Sequence, residues 1–250
     1  MSTFEFPYIP GGYRHIELSD FSLFASPDES SAHVEWLKQT VREVSDALRS
    51  FLNFCPKRRL AVCCYRSNQE ACECLDRKID STMALAPFDD NSKGLIVLQS
   101  PEADRRNGDS NRMKRILAHE MAHQFVSEIS NSKKVLGDGN VNRIVPAWLD
   151  EGFAVVVSRL VWNDITPLKE SIELFNNCTE LMTFGELNWH LDDLWSKLRD
   201  KAFMCSTAAV YLLVQETSVD YVFRHLNIIS GRYDNNGVCA PDKFREEIPL

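Results

Sequence analysis

Residues 111–129 read NRMKRILAHEMAHQFVSEI, with no glycine or proline, and Asp109 or Ser110 can cap the run. Those signals predict a helix over 110–129. On it, His119 and His123 are four residues apart and share one face, with Glu120 beside them. That face decides what the rest of the chain must build around it.

Two neutral imidazoles one turn apart can hold one Zn²⁺, which takes nitrogen ligands at about 2.0–2.1 Å. Glu120 is free of ligand duty and can take the proton of an attacking water, the division of labour of an H-E-x-x-H metalloprotease. The bland alternative is two satisfied histidines on a surface helix with a salt-bridging Glu. A second stretch weighs against it. A catalytic zinc needs a third protein ligand, and PAWLDEGFA at 146–154 offers Glu151 on a further helix. Pro146 suits a first helical turn. Gly152, inside a helical run, costs up to ~1 kcal/mol relative to Ala, and close approach to the helix of His119 and His123 is the expected reason.

Together, H-E-M-A-H-Q and W-L-D-E-G-F-A resemble the gluzincin metallopeptidases, the peptidase MA clan of thermolysin-like enzymes and zinc aminopeptidases. The form P-x-W-L-x-E-G-x-A is similar to compact peptidase MA-like domains. The resemblance implies a zincin-like fold, Zn²⁺ as cofactor, Glu151 as third ligand, Glu120 as general base and a peptide or protein as substrate. It also implies that Gly94-Leu95-Ile96-Val97-Leu98 is the strand whose edge binds substrate backbone. MTFGELN (182–188) and AFMCSTAAVYLLVQE (202–216) look like the helices that close such domains. Residues 124–150 separate His123 from Glu151, a longer gap than in the thermolysin-like and aminopeptidase branches. The G-x-M-E-N segment of the aminopeptidases is absent, which leaves an endopeptidase or an unusual amide hydrolase ahead of an aminopeptidase. Where similar domains carry Tyr in an A-Y-x-x-S segment, this chain has Phe203, which donates no hydrogen bond. Tyr211, His190 and His225 are the remaining oxyanion donors, with Tyr211 first. Asp150 can orient a histidine's distal N–H, or be an exposed first-turn acid favoured by the helix dipole. Trp148 reads as packing.

Strand signals concentrate early and helical signals late, which predicts an α+β chain: a small N-terminal mixed sheet with helices, the active-site helix, then a mainly helical C-terminal part. A single catalytic domain over 1–250 is expected, with an α/β subdomain at 1–108 and the helical part at 109–250. Val34, Leu37, Val41, Val44, Leu48 and Phe51 form one apolar stripe on a long helix starting near Ser26-Pro27. A strand near 59–65, a helix near 68–76 boxed by Ser67 and Glu70, and a hairpin-like signal over 83–101 with a turn at 89–94 follow. Later helices are expected at 146–162, 191–215 with a break near 199, and 218–229, and SNSKKVLGDGNVNRI (130–144) as a loop.

The formal net charge of −8 and the lack of a basic stripe argue against a nucleic-acid partner. Lys and Arg at 105–115 are diluted by Asp104 and Asp109 and read as a solvated helix start. There is no signal-peptide pattern at the start and no apolar run of membrane-spanning length, so a cytoplasmic protein without a membrane partner is expected. Eight cysteines without a signal fit a reducing compartment. Cys63 and Cys64 on a strand point to opposite faces, and Cys72 and Cys74 on a helix do not face each other. Free thiols are therefore expected over a thiolate metal site.

Overall fold

The structure, a computed structural model, describes residues 9–75, 84–85, 94–99, 110–130, 136–137, 140–141, 145–193, 196–233, 235–241 and 244. The chain divides into two compact units. Residues 1–47, 55–124 and 134–142 form the first, and residues 48–54, 125–133 and 143–250 the second. The whole is α+β, as the early strands and late helices predict.

The first unit holds β1 (Arg14–Glu17), β2 (Phe21–Ala25), most of α1 (Ser31–Leu52), β3 (Leu60–Tyr65), α2 (Asn68–Leu75), β4 (Ala84–Leu85) and β5 (Leu95–Gln99). It also holds the first fifteen residues of α3 (Ser110–Ile129) and a small hairpin, β6 (Leu136–Gly137) with β7 (Asn140–Val141). The main sheet is mixed, in the order β1-β2-β3-β5-β4. β2, β3 and β5 run parallel, and β1 and β4 flank them antiparallel. Every residue of β3 is buried, as expected of a central parallel strand covered on both faces. Cys63 lies on the α2 side with Ala61, Tyr65, Ala71, Leu75, Leu95 and Val97. Cys64 therefore points the other way, and all eight cysteines are free thiols.

Several expectations shift. α1 begins at Ser31, after a turn in which Asp28 N donates to Ser26 Oγ and Ser30 Oγ caps His33 N. Its buried stripe ends on Leu52, 0% exposed, whereas Phe51 is exposed at 37%, because four residues rather than three carry the stripe round from Leu48. Only half of the expected capping box forms at α2. Ser67 Oγ accepts from Glu70 N at 3.2 Å, but the Glu70 carboxylate accepts from Arg66 N at 2.9 Å and from the Tyr13 hydroxyl. The hairpin signal is met by β4 and β5, in the register Ala84↔Leu98 and Leu85↔Val97; its turn at 89–93 lies outside the described residues. β5 is not an edge. β3 and β4 pair on its two sides, so the outer strand is β4. Within the expected 130–144 loop, the β6–β7 hairpin pairs Leu136 with Val141.

The second unit is built from α4 (Ala147–Leu160), α5 (Thr166–Asn176), α6 (Phe184–Asp192), α7 (Arg199–Glu216), α8 (Val219–Arg224) and α9 (Leu226–Arg232). α4 is buried nearly all round and packs against α6 and α7, while α5 packs against α7. The helical stretch expected over 191–215, with a break near 199, is indeed two helices. α6 ends at Asp192 and α7 starts at Arg199. Instead of starting at 191, α6 starts behind Thr183. Thr183 Oγ1 accepts from Glu186 N at 3.1 Å and Glu186 Oε2 accepts from Thr183 N at 2.7 Å, a complete capping box. Those bonds hold the exposed Glu186 carboxyl below its ordinary range. α5 was not expected from the sequence. Pro167 in its first turn and the Leu168/Phe175 pair it buries are its signals.

Among the described residues, no helix is long and apolar enough to cross a membrane.

Candidate metal centre

α3 carries Met113, Leu117, Met121, Phe125 and Val126 into the interior. His123 is buried at 3% exposure and His119 is half-buried. The two Nε2 atoms converge to 3.1 Å, with the rings nearly perpendicular at 87° and their centroids 4.7 Å apart. Two imidazole nitrogens meet this way when one donates a proton to the other or both face one cation. Ligands at 2.0–2.1 Å from a tetrahedral zinc are ~3.3 Å apart, so the observed spacing fits the second case with little change.

Among the described residues, one group of metal-capable side chains comes together: His119, His123 and Glu151, whose ligand atoms all lie within 4.8 Å of one another. It is the nitrogen–nitrogen–oxygen donor set that a catalytic zinc takes, leaving room for a fourth ligand. Glu120 is buried at 9% exposure, as is Glu151. Carboxylates are held that deep only with hydrogen-bonding or charged partners.

α4 presents Glu151 through a local arrangement that the sequence half discloses. Pro146 is the residue before the helix, extended at φ −64° and ψ 153°, and not in its first turn. Its carbonyl accepts from Leu149 N and Asp150 N. A proline side chain cannot cap, so Asn188 of α6 reaches across and its Oδ1 accepts from Trp148 N at 3.1 Å. Gly152 does make room for a close approach, but to α7 and not to α3. A Cβ there would sit 2.5 Å from Ser206 O and 2.7 Å from Val210 Cγ2. Trp148 is core, 0% exposed, against Phe184, Tyr233 and Phe244.

Asp150 is 5% exposed, which removes the reading of it as an exposed first-turn acid. Tyr211 lies on α7, largely buried, one residue beyond the Val210 that meets Gly152. Its hydroxyl makes no hydrogen bond among the described residues. The other two candidate donors are engaged locally. His190 Nδ1 lies 2.6 Å from Ser196 Oγ, and His225 Nδ1 lies 2.8 Å from Tyr221 O. Phe203 sits under the Arg199 guanidinium at 5.2 Å. Among the described residues no cysteine joins a metal-capable group; burial pushes the Cys63 thiol up, and the Cys205 thiol up to about 11.

Sequence reasoning passed over Gln124. It is buried at 5% exposure directly after His123. Its Oε1 accepts from Gly94 N at 3.0 Å and its Nε2 donates to Leu95 O at 3.2 Å. Asn188 was missed likewise. A polar residue that is out of phase with its helix's exposed face was the available signal in both.

No family model and no curated protein matches the chain. Among solved structures, it is similar to a mutant M1 zinc metallopeptidase from Deinococcus radiodurans bound to a Tyr-Ser-Ala substrate, with a TM-score of 0.43 and 12% identity. A second structure of that mutant gives 0.41 and 13%. Each match covers 90% of this chain and 44% of the other, so this chain spans less than half the length of those enzymes. Likeness at that level leaves activity to be argued from the site's own residues.

Proposed function

We propose that this protein is a zinc-dependent metallopeptidase of the gluzincin type, with a zincin-like catalytic domain over 1–250. The observation that carries the reading is the convergence of His119, His123 and Glu151 within 4.8 Å, with the two Nε2 atoms facing each other at 3.1 Å. His119 Nε2, His123 Nε2 and a Glu151 carboxylate oxygen would hold the ion. Zinc there supplies Lewis acidity and makes water a competent nucleophile near neutral pH.

Glu120 is the general base. Its carboxylate takes one proton from the attacking water as the oxygen adds to the scissile carbonyl carbon. The same proton passes to the leaving nitrogen as the C–N bond breaks. Tyr211 is the oxyanion donor; its burial and its place on the helix that packs at Gly152 support this. Asp150, buried beside Glu151 in the chain, orients a ligand imidazole. The substrate is a peptide or protein laid along β4, the outer strand of the sheet. The lack of a G-x-M-E-N segment supports an endopeptidase over an aminopeptidase. Eight free thiols support a cytoplasmic location.

The test is Glu120→Gln beside Glu151→Ala. Glu120→Gln keeps about one zinc per chain and loses peptide hydrolysis by roughly 10²–10⁴-fold, and Glu151→Ala loses most of its zinc. A fully active Glu120→Gln removes the base. A zinc-loaded wild type that cleaves nothing in a peptide library turns the reading to a catalytically inactive zincin-like binding or regulatory module.

A further inference from the structure

Gln124 follows His123 on α3, and both of its amide groups are spent on the backbone at the start of β5. The amide oxygen takes the Gly94 N–H at 3.0 Å and the amide nitrogen gives to the Leu95 carbonyl at 3.2 Å. The described part of β4 pairs only with Val97 and Leu98, so no described β4 residue meets these two groups. The position holds tightly. Gly94 has φ +85°, a Cβ there would meet Arg59 O at 2.9 Å, and Gly94 O accepts from Ala61 N at 2.6 Å. One backbone residue is thereby pinned by β3 on one group and by α3 on another.

We propose that Gln124 is a positioning residue, tying the helix of His119 and His123 to the β4–β5 pair so that both keep one register. It rests on the peptidase reading, in which the substrate backbone lies along β4. The metal ligands fix where the scissile carbonyl must be, and β4 fixes where the substrate backbone runs. Of the side chains of α3, Gln124 makes the paired amide contacts to β5, one residue from a ligand. Both amide groups are satisfied and buried, so the side chain has one low-energy setting and transmits the strand's position without play.

The experiment compares wild type with Gln124→Met, which keeps the length and loses both hydrogen bonds. Three readouts run together on zinc-loaded protein: zinc per chain, kcat and KM on a peptide the wild type cleaves, and exchange of the Gly94 amide hydrogen by NMR. Zinc stays at wild-type level, Gly94 exchanges faster, and kcat falls about 10- to 100-fold with KM little changed, because displacement on the order of 1 Å is enough for that loss. If Gln124→Met does not fold, Gln124→Glu, which keeps an acceptor for the Gly94 N–H and loses the donor to Leu95 O, tests the Leu95 half of the tie: kcat falls at unchanged zinc while Gly94 exchange stays near wild type. A wild-type kcat in either variant overturns the proposal. So does a kcat that falls only in step with lost zinc or lost folded protein, since Gln124 then serves stability alone. Failure of the peptidase reading looks different: the zinc-loaded wild type itself is inert, while Gly94 exchange still reports whether the tie exists.

Discussion

Among the described glycines, Gly152 carries the sharpest steric statement. Helix propensity alone favours alanine there by up to ~1 kcal/mol. The space forbids it, since the added carbon would lie 2.5 Å from a backbone oxygen of α7, which cannot swing aside as a flexible side chain can. Gly152→Ala is therefore expected to destabilise by about 1–3 kcal/mol, read as a lower urea midpoint at unchanged slope. Zinc affinity should fall with it, because Glu151 is the preceding residue. A variant as stable as wild type would mean that α4 and α7 do not approach as described. The members of the cluster differ in how legible they were. The facing of His119 and His123 could be read because covalent spacing on a helix fixes their relation before any tertiary contact exists. Glu151 was legible through its motif. Which helix Gly152 faces was not, because a glycine announces a close approach without naming the partner. Nor was the depth of Asp150, which is decided by neighbours distant in sequence.

At the level of elements, α4 depends on a cap it does not own. Pro146 precedes the helix and offers no side-chain acceptor, and Asn188 Oδ1 supplies one to Trp148 N. Asn188→Ala leaves that N–H unpaired at a buried helix start, with an expected cost of about 1 kcal/mol. Asn188→Asp, which keeps the acceptor, should recover most of it. Matched urea titrations of the three proteins check the order, and equal midpoints would remove the cap. α3 was legible because 111–129 holds no Gly or Pro, and α4 because Pro146 marks its start and a long apolar run follows in spite of Gly152. α5 escaped because Leu168 and Phe175 bury only one narrow side against α7. The break near 199 between α6 and α7 is legible in the sequence, but the true start of α6 is set by the Thr183–Glu186 capping box, and the apolar run after it is short. The outer strand was misplaced by one because β4 is two residues long, too short for any periodicity to declare.

For the molecule as a whole, a zinc bound only by the folded chain must show as stability. Glu151 lies 28 residues beyond His123 and is brought to the histidine pair only by folding, so the unfolded chain has no comparable three-residue site. At free zinc a hundredfold above its Kd, mass action contributes about 2.7 kcal/mol. At the size of this chain, each kcal/mol moves Tm by about 2–4 °C. Stripping the ion with a chelator should therefore lower Tm by roughly 5–10 °C, and added zinc should restore it. Glu151→Ala is the control, because its Tm should already be low and should barely respond to chelator. A wild type whose Tm ignores both chelator and zinc, while Gly152→Ala behaves as expected, would leave the packing of α4 intact and take the metal out of the site. His119 and His123 would then share a proton at 3.1 Å instead of an ion. That result reaches the metal without any substrate in hand, which makes it the measurement to place before a search for peptides.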